Sequence, residues 1–125
     1  MLNEDIDYEK RGHHILVSPL KGRIKITIDG IILAESTNAL ELKEDGYEKV
    51  YYIPLKDVKA EVIRSETRTT CPYKGNASYY SMKLNDRIIK DAIWEYADPK
   101  PEFKDLKDYV SFYPKNIDHI EISQG

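Results

Sequence analysis

Apolar and polar residues alternate in short runs along most of the chain, with a period of two. Ile24, Ile26 and Ile28 alternate with Lys25 and Thr27, the pattern of a strand with one buried face. Asp29-Gly30 follows, a pair suited to a two-residue hairpin whose central residues both take positive φ. Residues 31–35 are the predicted return strand. An earlier strand is expected over 14–18, ended by Pro19. Strands at 39–43 and 49–53 flank an Asp45-Gly46 reversal, and Pro54 is placed to open a single helical turn. The strand pattern resumes at 59–63, 78–84, 87–90 and 93–96, with Asn85-Asp86 as a further turn. Asp98 and the prolines after it predict a short helix, its buried side made by Phe103 and Leu106. Strands at 109–113 and 117–122 close the chain. Turn signals about every ten residues, without strand–helix alternation, predict a mainly β fold. The expectation is a single compact antiparallel β-domain, a meander of short strands with one or two short helices.

Composition adds boundaries to this picture. A chain of 125 residues fits one domain, and at that size about two-thirds of the unfolded surface is buried, enough for a core without staples. Residues 1–12 are highly charged and offer little to bury, so a flexible N-terminal tail is expected there, with the domain over 13–125. Ten tyrosines suit a pleated surface, and each can bury a ring while keeping a polar tip. The net charge of −3, with both signs interspersed, sets up no field favouring nucleic acid or an anionic membrane. The longest aliphatic run, residues 31–34, is too short to span a membrane. One cysteine allows no internal disulfide, which suits a soluble cytoplasmic protein. The pattern sets no oligomeric state.

Chemistry concentrates in residues 69–80, Thr-Thr-Cys-Pro-Tyr-Lys-Gly-Asn-Ala-Ser-Tyr-Tyr. Pro72 fixes φ and Gly75 is free to take positive φ, so a tight reversal is expected between them. Cys71 is the sole thiol. It becomes a nucleophile where positive charge stabilises its thiolate, and otherwise packs as a small apolar group. On an extended segment Arg64 and Arg68 point away from Cys71, which leaves Lys74 as the nearer cation. Lys74 is either an anion anchor at the turn or a solvated loop lysine. Trp94 and Tyr96 share a strand face, as pocket wall or as core. Two adjacent histidines and a remote third, with one cysteine, give no metal-ligand spacing, and no phosphate loop or dinucleotide fingerprint occurs. No metal or other cofactor is implied. Glu35, Asp91 and Glu95 form no paired-carboxylate signature.

Five stretches carry a family resemblance in order and spacing. They are Gly30-x-x-x-Ala-Glu-Ser-Thr-x-Ala-Leu, Val50-Tyr-Tyr-Ile-Pro-x-x-Asp-Val, Thr70-Cys-Pro-Tyr-Lys-Gly-x-Ala-Ser-Tyr-Tyr, Asp91-Ala-x-Trp-x-Tyr-x-Asp-Pro and Tyr109-Val-x-Phe-Tyr-Pro. Over residues 14–122 the chain resembles the domain-of-unknown-function 427 family, also labelled nucleotidyltransferase-like. The resemblance implies a β-tent type of domain, similar in outline to methionine sulfoxide reductase B and the ligand domain of cereblon. Those relatives often carry zinc on four cysteines, a set this chain lacks. Nor does it have the Gly-Ser pair and spaced aspartates that would hold a metal and a triphosphate. Cys71, Lys74, Tyr79, Tyr80, Trp94 and Tyr96 fall on the densest motifs and are the site candidates. Three functions follow as expectations. One is a small-ligand-binding domain with an aromatic cleft and Lys74 as the polar anchor. Another is an enzyme using Cys71 as nucleophile or redox centre beside Lys74. The last is a structural or protein-interaction domain.

Overall fold

The computed structural model describes residues 6–10, 13–72 and 74–125. Its strands are β1 (Ile6–Lys10), β2 (His13–Pro19), β3 (Ile24–Ile28), β4 (Ile31–Ser36), β5 (Leu40–Glu44) and β6 (Val50–Pro54), followed by β7 (Glu61–Cys71), β8 (Gly75–Leu84), β9 (Arg87–Pro99), β10 (Tyr109–Phe112) and β11 (Ile120–Gln124). They form an eight-stranded sheet in the order β1-β2-β5-β6-β10-β9-β8-β7 and a three-stranded sheet in the order β11-β3-β4. The pairings in both sheets are antiparallel. The helical segments are short 3-10 turns at Leu55–Asp57, Pro101–Leu106 and Pro114–Asn116. The mainly β, antiparallel, single-domain expectation holds.

The turn chemistry behaves as read. Asp29 and Gly30 both take positive φ (47° and 81°), and Asn85 turns the β8–β9 hairpin at φ 57°. Ile24, Ile26 and Ile28 are each at most 1 % exposed, so the isoleucine alternation does mark a one-sided strand.

Three stretches differ from the pattern-based reading. Residues 6–10, expected within a flexible tail, form β1, paired to β2 from Ile6↔Val17 to Lys10↔His13. Composition reports what a segment can bury; an open sheet edge offers it backbone hydrogen bonds as well. The remainder of the expected tail lies outside the described residues. The strand expected over 59–63 belongs to an eleven-residue strand, β7, and those expected at 87–90 and 93–96 are one strand, β9. Alternation breaks there at bulges. Between Tyr80↔Ile93 and Met82↔Ile89 the chain spends four residues on β9 against two on β8. Arg64↔Tyr80 and Arg68↔Ser78 show the same excess on β7. An even excess keeps each side chain on its original face while hiding the strand's continuity from a period-two reading. Asp91, at φ 51°, sits in the β9 bulge and accepts hydrogen bonds from the hydroxyls of Ser65 (2.6 Å) and Thr67 (2.7 Å) in the β7 bulge.

Strands β6, β8, β9 and β10 of the large sheet feed two cores. On one face Ile53, Met82, Ile93 and Phe112 pack against Ile24, Ile26, Ile28 and Leu33 of the small sheet. On the other, Ile15, Val17, Leu40, Leu42 and Tyr52 gather with Ala77 and Tyr96 beneath Phe103 and Leu106 of the second 3-10 turn. Tyr52 and Ile53 are neighbours in sequence and lie in different cores, as the pleat requires.

Candidate functional site

The β7–β8 hairpin is held by its backbone. Gly75 takes φ 122°, and a Cβ there would meet the Asp98 carbonyl oxygen at 3.3 Å and the Lys100 nitrogen at 3.4 Å, so both conformation and space call for glycine. The Lys100 N–H donates to the Lys74 carbonyl (2.8 Å), and the Lys100 ammonium donates to the Pro72 carbonyl (2.6 Å). Thus clamped, Lys74 turns inward. Its residue is 6 % exposed, and its Nζ donates to Glu44 Oε1 at 3.1 Å across the sheet from β5. The same ammonium lies 5.9 Å from the centre of the Tyr96 ring.

Cys71, Lys74, Tyr79, Trp94 and Tyr96 therefore share one side of the sheet. Cys71, Tyr79 and Trp94 are half-buried around the second core, while Tyr96 is buried in it. The ring of Tyr52 joins them. It packs edge-on to Trp94 with centroids 6.2 Å apart, lies 6.5 Å from Tyr96, and its hydroxyl accepts the Trp94 indole N–H at 3.3 Å. Tyr113 also packs edge-on to Trp94, with ring centroids 5.5 Å apart. Burial pushes the Tyr52 phenol far above its ordinary range, with the Trp94 hydrogen bond opposing the shift. Tyr96 is pushed up further, first by burial and then by Tyr52, Cys71 and Tyr79. Both phenols stay protonated at any physiological pH and act as neutral hydrogen-bonding tips.

Tyr80 does not join this group. It faces the inter-sheet core, where its hydroxyl donates to Glu95 Oε2 (3.0 Å) and accepts from Arg64 Nη2 (3.0 Å), with the guanidinium 5.0 Å above its ring. Burial, then the Glu95 carboxylate, raises its phenol. Tyr52, Tyr113 and Glu44 complete this group and were not among the sequence candidates. Tyr52 was discoverable, since alternation against Ile53 puts it on the face of Leu40. Glu44 had no local signal, because its tie to Lys74 spans thirty residues.

The aromatic group is packed rather than hollow. Trp94 lines a hollow of 70 Å³ shared with Tyr51, Ser111 and Phe112, and Cys71, Lys74, Tyr79, Tyr80 and Tyr96 line neither it nor the larger hollows of the described residues. Larger hollows lie elsewhere. One of 280 Å³ is bounded by Arg23, Glu35, Ser36, Asp57 and Lys59, and one of 770 Å³ by Pro54, Leu55, Lys107 and Tyr109. Among the described residues no group of His, Cys, Asp and Glu is arranged to hold a metal ion, and no helix is long and apolar enough to cross a membrane.

The chain belongs to the family described as Domain of unknown function (DUF427), whose model matches residues 16–123. A comparison with curated proteins gives no match. The matched span runs from β2 to β11, so both the aromatic face and the larger hollows lie within it.

Proposed function

We propose that this domain binds a small molecule on the sheet face bearing Cys71, Lys74, Tyr79, Trp94 and Tyr96, as a cytoplasmic ligand-binding module. The observation that carries the reading is the Lys74–Glu44 ion pair set against aromatic rings, with side chains only 8 % and 14 % exposed. Withdrawing two charges from water costs more than apolar packing in the same space, so such a pair is weak evidence for a purely structural role. Polar groups converging beside aromatic rings are the usual makings of a small-molecule site. Because Lys74 is already matched by Glu44, the favoured ligand offers both a donor and an acceptor on a flat body, in preference to a bare anion. Tyr79 and Trp94, at the half-buried rim, would cover its ring, with Cys71 beside them. Tyr80 serves the opposite face and has no part in this reading.

A thermal-shift screen of heteroaromatic metabolites tests it. A compound held at a hundred times its Kd stabilises the native state by about 2.7 kcal/mol. The expected result is a compound that raises the Tm of the wild type and loses that effect in Trp94→Ala and in Lys74→Met. A screen with no shift in the wild type, or with equal shifts in all three proteins, counts against the site.

A further inference from the structure

We propose a second binding site, independent of the aromatic face, in the furrow over Ser36 and Asp57. Its ligand is a small organic anion, with a phosphate or carboxylate head on a short apolar body. The furrow is made of the two larger hollows just named, 280 Å³ and 770 Å³, which adjoin through Asn38. Volumes of a few hundred cubic ångströms are those of small-molecule sites. The first hollow is polar and the second carries Pro54, Leu55 and Tyr109, so one end suits a charged head and the other an apolar body.

The polar floor is built. Ser36 is 5 % exposed; its hydroxyl donates to Asp57 Oδ2 at 2.6 Å and accepts the Asn38 N–H at 3.0 Å. That fixes β4's end against the 3-10 turn at Leu55–Asp57. The Asp57 charge also helps raise the Tyr109 phenol, after burial and Asp105, which puts the two halves of the furrow within electrostatic reach.

Charge decides the sign of the ligand. On a chain with net charge −3, the furrow walls carry four cations, Arg23, Lys56, Lys59 and Lys107, against Glu35, Asp57 and Asp108. Glu35 pairs with Arg23 at 3.3 Å, so those two charges offset each other, while Asp57 keeps its charge and accepts from Ser36. Lys56, Lys59 and Lys107 have no ion pair among the described residues. Thr37 and Asn38 are exposed at the same rim, and their side chains add uncommitted donors. An incoming anion would meet Lys56, Lys59, Lys107 and these donors there, against the two carboxylates of Asp57 and Asp108.

The experiment is a nitrogen–proton correlation titration of the whole chain with four probes: phenyl phosphate, benzoate, inorganic phosphate and benzylamine. Expected are saturable shifts at the amides of residues 36–38 and 56–59 with phenyl phosphate and benzoate. Inorganic phosphate should bind more weakly, and benzylamine, with the same ring and the opposite charge, should leave these amides unmoved. Lys59→Glu, at an exposed position, should weaken phenyl phosphate about tenfold, the scale of reversing one nearby charge. Thr37→Ala should weaken it less, which guards against a misfolded charge variant. Absence of saturable shifts with both ring anions overturns the proposal, as does an equal response to benzylamine or unchanged affinity in both variants. Inorganic phosphate binding as tightly as phenyl phosphate overturns the apolar half of the site.

Discussion

The sheet face around Lys74 and the furrow over Ser36 differ in how they hold their charges. At the first, an ammonium and a carboxylate are drawn out of water and closed in by rings, leaving beside Trp94 a space of only 70 Å³. At the second, commonplace lysines and a threonine stand in solvent around a few hundred cubic ångströms of open volume. The chemically dense stretch of the sequence is thus the packed region, and the open region is assembled from residues with no motif character of their own. Rings and a buried ion pair need tight surroundings to offset desolvation. A hollow needs only strand ends that fail to fill the space between them. Density of unusual residue types therefore reports demanding packing as readily as it reports a site.

The widest test of this contrast is Phe103→Ala. Phe103 is fully buried beneath the aromatic face, and its truncation should cost about 3–5 kcal/mol in denaturant unfolding. Lys59→Glu in the furrow should stay within about 0.5 kcal/mol of wild type. Comparable losses in the two variants would erase the distinction between a packed and an open region.

Next in size is the ion pair. Lys74→Met alone should cost about 3 kcal/mol, because it removes one charge of an ion pair whose side chains are only 8 % and 14 % exposed. Adding Glu44→Leu should restore most of that loss, read as a coupling in a double-mutant cycle. Additive losses would show the pair to be better solvated than its 8 % and 14 % exposures imply.

Asp91 gives the smallest effect and sharpens the comparison by its position, since its bulge lies on β9, the strand that also carries Trp94 and Tyr96. Burial alone would raise its carboxyl, but the Ser65 and Thr67 hydroxyls outweigh that and hold it below its ordinary value of 3.8. The sign follows from linkage. A carboxyl depressed in the folded state contributes stability that is whole above the ordinary value and is lost as pH falls through the depressed one. Asp91→Asn should cost about 1 kcal/mol at neutral pH, the net scale of a hydrogen bond at a partly exposed site. Its deficit relative to wild type should shrink as the pH drops below 3.8. A deficit independent of pH would assign the effect to backbone shape alone.

Much of the fold was legible in the chain because strands and turns answer to local rules. Ile24, Ile26 and Ile28 announced a buried face, and Asp29-Gly30 announced its hairpin. Gly75 announced a backbone that no side chain fits. The bulges at Asp91 and in β7 were hidden, since a period-two reading stops wherever two extra residues interrupt it. β1 was hidden because its partner, a sheet edge, is not a property of its own residues. At the candidate site, local alternation correctly joined Trp94 with Tyr96. The pleat parts Tyr79 from Tyr80, although the motif they share put both among the candidates.

What the sequence determined by itself is the class of structure, its reversals, and which neighbours in a strand must part to opposite faces. These depend on side-chain period and backbone conformation within a few residues. Only the tertiary structure decided that Lys74 closes on Glu44, that Tyr52 completes the aromatic group, and that Ser36 and Asp57 floor an open furrow. Each of those joins residues from separate strands or turns, brought together by sheet order, and desolvation and cavity shape exist only once that order is set.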